Sequence, residues 1–312
     1  MSRRLLYGLM SLVVLMWGGA FVAIKFLLIE GLSAWTIALL RFGLTVMGLW
    51  IVVVATRTPM PVPERRHRPW IALMGLCGVA AYHLALNFGE RYVSPNVAPL
   101  VIAAMPVVVA ILATFLLHEH MDGVKWEGIA LAIAGVVVLV LWGTPGAEIS
   151  VRNVTGAAVI AISPIAWAVY TVLSKRLVGK YGALPLSTWA ITTGTVLLVP
   201  FAIVPTVREI GAAGLEAWAW IAFLAFGCTV FAYVVWFRAL QELDASRVAA
   251  WVYFVPLVAP VWGWIVLREP VTPFLAVGGV MVLGGVILIE RVSPQMVASR
   301  EADEAVAQAI SL

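Results

Sequence analysis

Charge is scarce in this chain of 312 residues. Charged side chains make up 12% of it, hydrophobic side chains make up 63%, and the mean hydropathy is +1.03. A soluble globular domain carries about 25% charged residues, so this sequence has too little polar surface to cover water-soluble globules. The composition therefore indicates a membrane protein that crosses the bilayer several times.

Several motifs that carry chemistry are also missing. There is no GxxxxGK[ST] phosphate loop, no serine elbow, no HExxH zinc motif and no pair of acidic residues inside an apolar run. ATP is therefore not expected to drive this protein directly, and an enzyme is not supported. We expect no cofactor and no metal, and we keep a membrane enzyme or a non-transporting scaffold as the alternative from a different class.

Cysteine is almost absent, and no stretch concentrates basic residues. The two cysteines, Cys77 and Cys228, both lie in apolar runs without zinc-type spacing, which is typical of inert packing thiols. The net charge of +4 and the pI of about 9.3 come from residues spread along the chain. A nucleic acid is therefore not expected as a partner.

Ten apolar runs have the length that an α-helix needs to cross a bilayer, about 20 residues. They are too long, and too continuously apolar, to be strands of a membrane barrel. The sequence therefore predicts an all-α membrane protein. The expected spans are Leu5–Ile29, Ala34–Ala55, Trp70–Gly89, Asn96–Leu117, Val124–Gly143, Val154–Val178, Leu186–Thr206, Leu215–Leu240, Ser246–Leu267 and Thr272–Glu290.

The distribution of lysine and arginine predicts the orientation. With the N-terminus in the cytoplasm, 14 of the 20 basic residues fall in inner loops and termini, whereas 4 fall in outer loops. This bias places both termini in the cytoplasm. Lys25 and Arg41 lie inside spans, and we expect both to reach outward to the lipid headgroups. For Arg41 the alternative is that it attracts anions or carboxylates to an outer vestibule.

The chain matches itself at an offset of 150 residues. Rare residues that coincide at this offset are Trp17 with Trp167, Lys25 with Lys175, Trp70 with Trp220, Pro106 with Pro256, Glu119 with Glu269, Gly128 with Gly278 and Gly135 with Gly285. We therefore divide the chain into a repeat over 1–145, a second repeat over 146–292 and a polar tail over 293–312. Because five spans is an odd number, the second repeat is predicted to be inverted, an arrangement common in secondary transporters.

Several stretches resemble the EamA family of the drug/metabolite transporter superfamily. They are "WGGAFVAIKF", "LRFG", "YHLALNFGERYVSPNVAPL", "GIALAIAGVVVL", "FRALQELDASRVA", "VPLVAPVWGWIVLREP" and "GGVMVLGGVILI". The resemblance covers about residues 5–290. It implies ten helices in the inner (plasma) membrane of a bacterium and export of small metabolites or drugs through a cavity formed mainly by helices 1, 3, 4, 6, 8 and 9. The related four-helix multidrug family has an acidic residue in its first helix, whereas none occurs here, which argues against a cation antiporter.

Two tryptophans are candidates for the wall of the substrate site. Trp17 lies 12 residues beyond Leu5, about 18 Å along a helix at about 1.5 Å per residue, near the middle of the bilayer. Trp167 holds the equivalent position in the second repeat. Interfacial tryptophans belong at the membrane surfaces, so we expect these two to line a cavity at the midplane, with core packing as the alternative. Gly18 and Gly19 are expected to allow close helix packing.

The third span carries a polar face from Tyr82 and His83 to Asn87. A hydrogen-bond network between helices is one interpretation of this polar face, and contact with the substrate is the more specific alternative. Aromatic residues elsewhere suit stacking on aromatic or amphipathic solutes. The further substrate-binding candidates are Tyr170, Tyr233, Trp236, Trp251 and Tyr253. Pro106 and Pro256 interrupt equivalent helices and are expected to act as hinges.

His83 is the candidate for proton coupling, because it is predicted to lie near the middle of the membrane and a histidine side chain titrates near neutral pH. Asn87, one turn away, is expected to orient its ring. Burial favours the neutral imidazole, so we prefer facilitated transport down the solute gradient over proton-driven transport.

These observations predict a transporter in the lipid bilayer, monomeric or homodimeric, that exports small metabolites by alternating access. Amino acids and related amphiphilic or aromatic compounds are the expected substrates. An importer or a nucleotide-sugar-like exchanger is the alternative within transport, and it would need phosphate-binding cations in the cavity.

Cysteine labelling tests the predicted topology. In a background without Cys77 and Cys228, we expect a cysteine at Arg66 to be protected from an impermeant thiol reagent in intact cells. A cysteine at Glu209 should react, because the positive-inside bias places it outside. Labelling of position 66 from outside would contradict the inverted repeat.

Overall fold

The computed structural model describes residues 3–103, 123–142, 151–242 and 250–288, and the regular elements within them are all helical. Pro106 and the tail 293–312 lie outside the described residues, and so does the side chain of Tyr253. The helices are α1 (Arg3–Ile29), α2 (Ala34–Ala55), α3 (Arg68–Gly89), α4 (Ala98–Ala103), α5 (Gly123–Trp142), α6 (Val151–Ile160), α7 (Ile162–Tyr181), α8 (Ala183–Glu209), α9 (215–242), α10 (Val255–Leu267) and α11 (Pro273–Leu288).

Five helices in the described ranges are long and apolar enough to cross a membrane. They are α1, α2, α3, α8 and α9. Large apolar side chains point outward from the bundle, such as Val54 and Val280, each 73% exposed, as a lipid-facing surface requires. The expectation of an all-helical protein with membrane-spanning helices is confirmed, and the number of ten spans stays a prediction.

One predicted span is divided in two. The expected helix Val154–Val178 appears as α6 and α7, separated by a turn at Ala161. Pro164 explains the break, because it has no N–H to donate to the Ile160 carbonyl four residues earlier and its ring crowds that carbonyl. The predicted span is therefore an apolar helical stretch with one irregular residue in its hydrogen bonding, at Ala161.

A second proline marks a change of helix type. Pro256 lies in the first turn of α10, which follows a 3₁₀ turn over Ala250–Phe254. Proline is tolerated in the first turn of a helix because the N–H of that position has no helical partner. The backbone hydrogen-bond pattern thus changes from 3₁₀ to α-helical next to Pro256, where a hinge was predicted.

Equivalent helices of the two repeats pack side by side. Trp35 at the start of α2 stacks on Phe201 in the second half of α8, with 6.0 Å between ring centres. Trp50 near the end of α2 meets Trp189 near the start of α8 at 5.6 Å. The order of these contacts shows that α2 and α8 run antiparallel.

The same relation holds for α5 and α11, through glycines that are equivalent in the repeat. A Cβ added to Gly135 would lie 2.8 Å from the Gly278 carbonyl oxygen, and one added to Gly285 would meet the carbonyl of Gly128. The early part of α5 thus meets the late part of α11. Both pairs of equivalent helices run in opposite directions, which is the relation that an inverted repeat requires.

At one end of the bundle, the α2–α3 loop contacts the end of α7. Glu64 pairs with Lys180 and, at 2.8 Å, with Arg66, while the His67 Nδ1 atom and the Tyr181 hydroxyl are 2.7 Å apart. Hydrogen bonds from Lys180 and Arg66 lower the pKa of Glu64 to about 2. This carboxylate therefore stays charged at any pH used for transport, but exposed ion pairs of this kind contribute little to stability.

A close contact between the halves joins α3 and α8, and it gives a stability prediction. A Cβ on Gly194 would lie 2.5 Å from the Gly75 carbonyl oxygen, so Gly194→Ala should force the two helices apart and cost about 1–3 kcal/mol. Gly43→Ala is the matched control, because a Cβ there meets nothing within 4 Å. We expect a lower midpoint of thermal unfolding in detergent for the first variant only. Equal midpoints would show that this contact is not tight.

Candidate functional site

Two π-helical segments interrupt α3 and α9 at equivalent positions. They cover Leu76–Ala81 in the first repeat and Phe223–Phe231 in the second, and an offset of 150 residues places the first segment on 226–231 of the second. A π-helical turn alters the normal carbonyl pairing and often occurs at functional sites. The two segments therefore mark the same place in both repeats.

Trp17 packs on the π-helical segment of α9. Its Nε1 atom donates to the Cys228 carbonyl at 2.9 Å, and the Cys228 thiol donates to the Met16 carbonyl at 3.2 Å. Its ring lies 5.3 Å from that of Trp236, and Trp251 packs in the same group of side chains and stacks on Tyr7 at 6.1 Å. We call Tyr7, Trp17, Trp236 and Trp251 the first aromatic cluster.

A second aromatic cluster packs on the π-helical segment of α3. We define it as Tyr82, His83, Trp167 and Tyr170. Tyr82 lies 4.6 Å from the His83 ring and 5.4 Å from Trp167, and Trp167 stacks on Tyr170 at 5.1 Å. A Cβ on Gly78 would come within 2.6 Å of the Tyr170 ring, so a glycine is needed in α3 for this ring to reach the segment.

Arg41 lies between the two repeats, beside the second aromatic cluster. Its side chain is buried at 7% exposure, its Nη1 atom is 3.4 Å from His83 Nδ1, and its Nη2 atom donates to the Thr229 hydroxyl at 3.3 Å. Tyr82 and Tyr233 are close enough to act on its charge. The expectation that Arg41 extends to the headgroups was therefore wrong, because its guanidinium points into the protein.

The contact with Arg41 fixes the state of His83. A guanidinium has donors only, so Nδ1 has to accept, and the ring proton is assigned to Nε2. The imidazole is then neutral, and a second positive charge beside Arg41 would be repelled. This geometry supports the neutral histidine expected from the sequence.

Asn87 belongs to the contact between helices and not to the aromatic clusters. Its Nδ2 atom donates to the Ala34 carbonyl at 3.2 Å, and its Oδ1 atom is buried with no donor among the described residues. The interpretation of Asn87 as the residue that orients the His83 ring was wrong. The partner of that ring is Arg41, which approaches from α2.

A group of charged residues was missed at the end of α3. Lys25 donates to the backbone carbonyls of Glu90 and Val93 at 2.7 and 2.9 Å. The expectation that Lys25 extends to the lipid headgroups was therefore wrong. Glu90 is fully buried, and within the described part of the chain neither of its carboxylate oxygens has a hydrogen-bond partner. Burial raises the pKa of Glu90 well above its usual range, while Lys25 opposes that shift. Glu269 accepts a hydrogen bond from the Ser94 hydroxyl across the repeats.

A signal for Glu90 was present in the sequence. Glu90 follows His83 by seven residues, two helical turns, so both belong to the same face of α3. A position just past an apolar run is also typical of a loop residue, yet in the structure Glu90 is buried.

Other features contribute less to a site. Among the described residues, no group of three or more His, Cys, Asp or Glu side chains could hold a metal ion. A groove of about 590 Å³ between α10 and α11 is lined by apolar residues, including Pro256, Trp264 and Val280. Its walls face outward, and it contains none of the polar groups around Arg41.

Comparison with known proteins identifies relatives of the whole chain. The model of the EamA-like transporter family matches residues 5–141 and again residues 154–291. An uncharacterized transporter of Archaeoglobus fulgidus is 34% identical over 282 residues, covering 90% of this chain and 97% of the relative. A probable terminal-alkyne amino-acid exporter of Streptantibioticus cattleyicolor is 32% identical over 281 residues, covering 90% and 91%.

A solved crystal structure supports the same fold. It superimposes with a TM-score of 0.60 at 18% identity, covering 95% of this chain and 99% of the other. The two matches to the family model confirm the two-repeat architecture and the resemblance seen in the sequence.

The two clusters give a prediction for transport. Trp17→Ala and Trp167→Ala should each lower flux per folded molecule by about tenfold, since losing a large ring contact costs on the order of 1.4 kcal/mol. Trp50→Ala is the control, because Trp50 pairs with Trp189 away from both clusters. Flux is measured in liposomes and folded protein by size-exclusion chromatography. Loss of folded protein with normal flux per molecule would assign both tryptophans to packing.

Proposed function

Because the chain belongs to the EamA-like transporter family, we propose that it is a ten-span secondary transporter that exports small amphiphilic metabolites. The proposed substrates are amino acids and related aromatic compounds, carried from the cytoplasm across a bacterial inner membrane. The relative from Streptantibioticus cattleyicolor, named as a probable amino-acid exporter, supports this substrate class.

The observation that carries the proposal is the second aromatic cluster. Its rings come from α3 of the first repeat and α7 of the second, so they meet where the two halves join. Transporters with internal repeats bind substrate at that junction. Stacked rings beside one polar group suit a solute that has an apolar body and a polar end.

Alternating access follows from the arrangement of the halves. Equivalent helices run antiparallel in the α2–α8 and α5–α11 pairs, which supports an inverted repeat. Rocking of one half against the other would open a central site to each side in turn. The π-helical segments and Pro256 are the places where the regular helix is already interrupted, and we assign the bending to them.

Facilitated export is favoured over coupling through His83. The imidazole accepts from Arg41 in its neutral form, and protonation would place two positive charges 3.4 Å apart. Passive release of a metabolite that accumulates in the cytoplasm needs no such proton.

A nucleotide-sugar-like exchanger is less well supported. Diphosphate recognition calls for several convergent cations. Among the described residues, Arg41 is the one guanidinium shown in contact with the second aromatic cluster. Lys25 donates to two backbone carbonyls. A role as an enzyme has no support in the described residues.

Exchange in liposomes tests the function. Proteoliposomes loaded with unlabelled L-phenylalanine should take up more labelled L-phenylalanine than protein-free liposomes do. They should not take up a labelled uridine diphosphate sugar. Uptake of the nucleotide sugar alone would favour the exchanger. Uptake of neither compound, together with unchanged excreted metabolites when cells express the protein, would contradict the proposal.

A further inference from the structure

Arg41 is a buried charge whose partners are all neutral. Within the part of the chain that the structure describes, its guanidinium contacts His83 at 3.4 Å, the Thr229 hydroxyl at 3.3 Å and the face of the Phe42 ring, with 5.3 Å from Cζ to the ring centre. Its Nε atom has no acceptor among the described residues. No ion pair joins it to a described acidic residue.

These contacts are long for a charged donor. Charge-assisted hydrogen bonds from a guanidinium to a carboxylate are about 2.7–2.9 Å long and roughly twice as strong as neutral ones. Removing a guanidinium from water costs several kcal/mol of free energy unless such partners offset that cost. Two long hydrogen bonds to neutral groups, with the Nε–H group unpaired, do not offset this cost of desolvation.

Among the described residues, no carboxylate forms an ion pair with Arg41. Residues 104–117, which belong to the predicted fourth span, contain no acidic residue. Glu90 is the buried acid that acts on Arg41 from a distance, but the charges of Lys25 and Glu269 act on it more strongly. The missing anion is therefore expected to come from outside the protein.

The groups around Arg41 define the shape of that anion. On one side the guanidinium is bounded by Phe42 and His83, whose rings are 4.7 Å apart, and beyond them lie Tyr82 and Trp167. On the other side it reaches Thr229 in the π-helical segment of α9. An anion bound at Arg41 would have its apolar part against the rings of the second aromatic cluster.

We propose that Arg41 is the anchor for the carboxylate of the transported solute, so that the substrate class is monocarboxylates with an apolar or aromatic body. The planar fork of the guanidinium matches a carboxylate through two parallel hydrogen bonds. This inference rests on the proposed function, because it assigns one end of the substrate to the site already described.

The test uses two probes of nearly the same size and shape, 3-phenylpropionate and 3-phenylpropionamide, of which only the first has a charged carboxylate. With the wild-type protein, the carboxylate should raise the midpoint of thermal unfolding and the amide should not, since only the carboxylate completes the ion pair. In liposomes, Arg41→Gln should lower flux of the carboxylate by about tenfold or more relative to wild type. Arg41→Lys should keep part of it, because it retains the charge but not the fork.

Arg66→Gln is the matched control, since it removes an arginine whose side chain is 75% exposed and should leave both readouts unchanged. Equal thermal shifts from the two probes in the wild type would overturn the proposal without any variant. Equal loss of both probes in folded Arg41→Gln would overturn it too. A thermal shift that depends on Arg41, without flux, would support the anchor and contradict transport.

Discussion

In hydrocarbon, a polar group has no water to bind, so the protein itself has to supply its partner. This constraint explains why the described elements are helices, and it also explains many side chains. Thr188 and Thr195 donate to the carbonyls of Leu184 and Ile191, one turn back in α8. Lys25 donates to two carbonyls at the end of α3, where a helix leaves acceptors unpaired. Trp17 uses a carbonyl of the π-helical segment in the same way.

Against this background, the unsatisfied groups stand out because they are few. Among the described side chains they are atoms of Arg41, Asn87, Glu90 and Asn96. For the two amides one hydrogen-bonding atom is unpaired, a modest cost. Arg41 and Glu90 are different, since each carries a charge or a proton that a single neutral partner cannot balance. Arg41 on α2 and Glu90 at the end of α3 thus lack direct partners for these atoms among the described residues, and this is where an external ligand or proton has the most to contribute.

Sequence reasoning reached the fold and one part of the site, for physical reasons that can be stated. Apolar length gives a helix and its depth, and the offset of 150 residues gave the repeat and paired Trp17 with Trp167. Hydropathy does not say which way a long side chain turns around its helix, so Arg41 and Lys25 were expected at the lipid surface although both point inward. Snorkelling and inward burial leave the same pattern in the sequence, and only the packed neighbours separate them. The π-helical segments leave no pattern that hydropathy can detect.

The weakness of the contacts around Arg41 also connects binding to motion. The guanidinium holds His83 of the first repeat and Thr229 of the second through bonds of 3.4 and 3.3 Å, so it is a link between the halves that is inexpensive to break. A carboxylate that binds the same N–H groups competes with both partners, and its stronger bonds replace the contact across the repeats. A ligand shifts a conformational equilibrium only by its difference in affinity for the two states. Arg41 meets that requirement, because the bond that a substrate would take from it is one that joins the two halves in this structure.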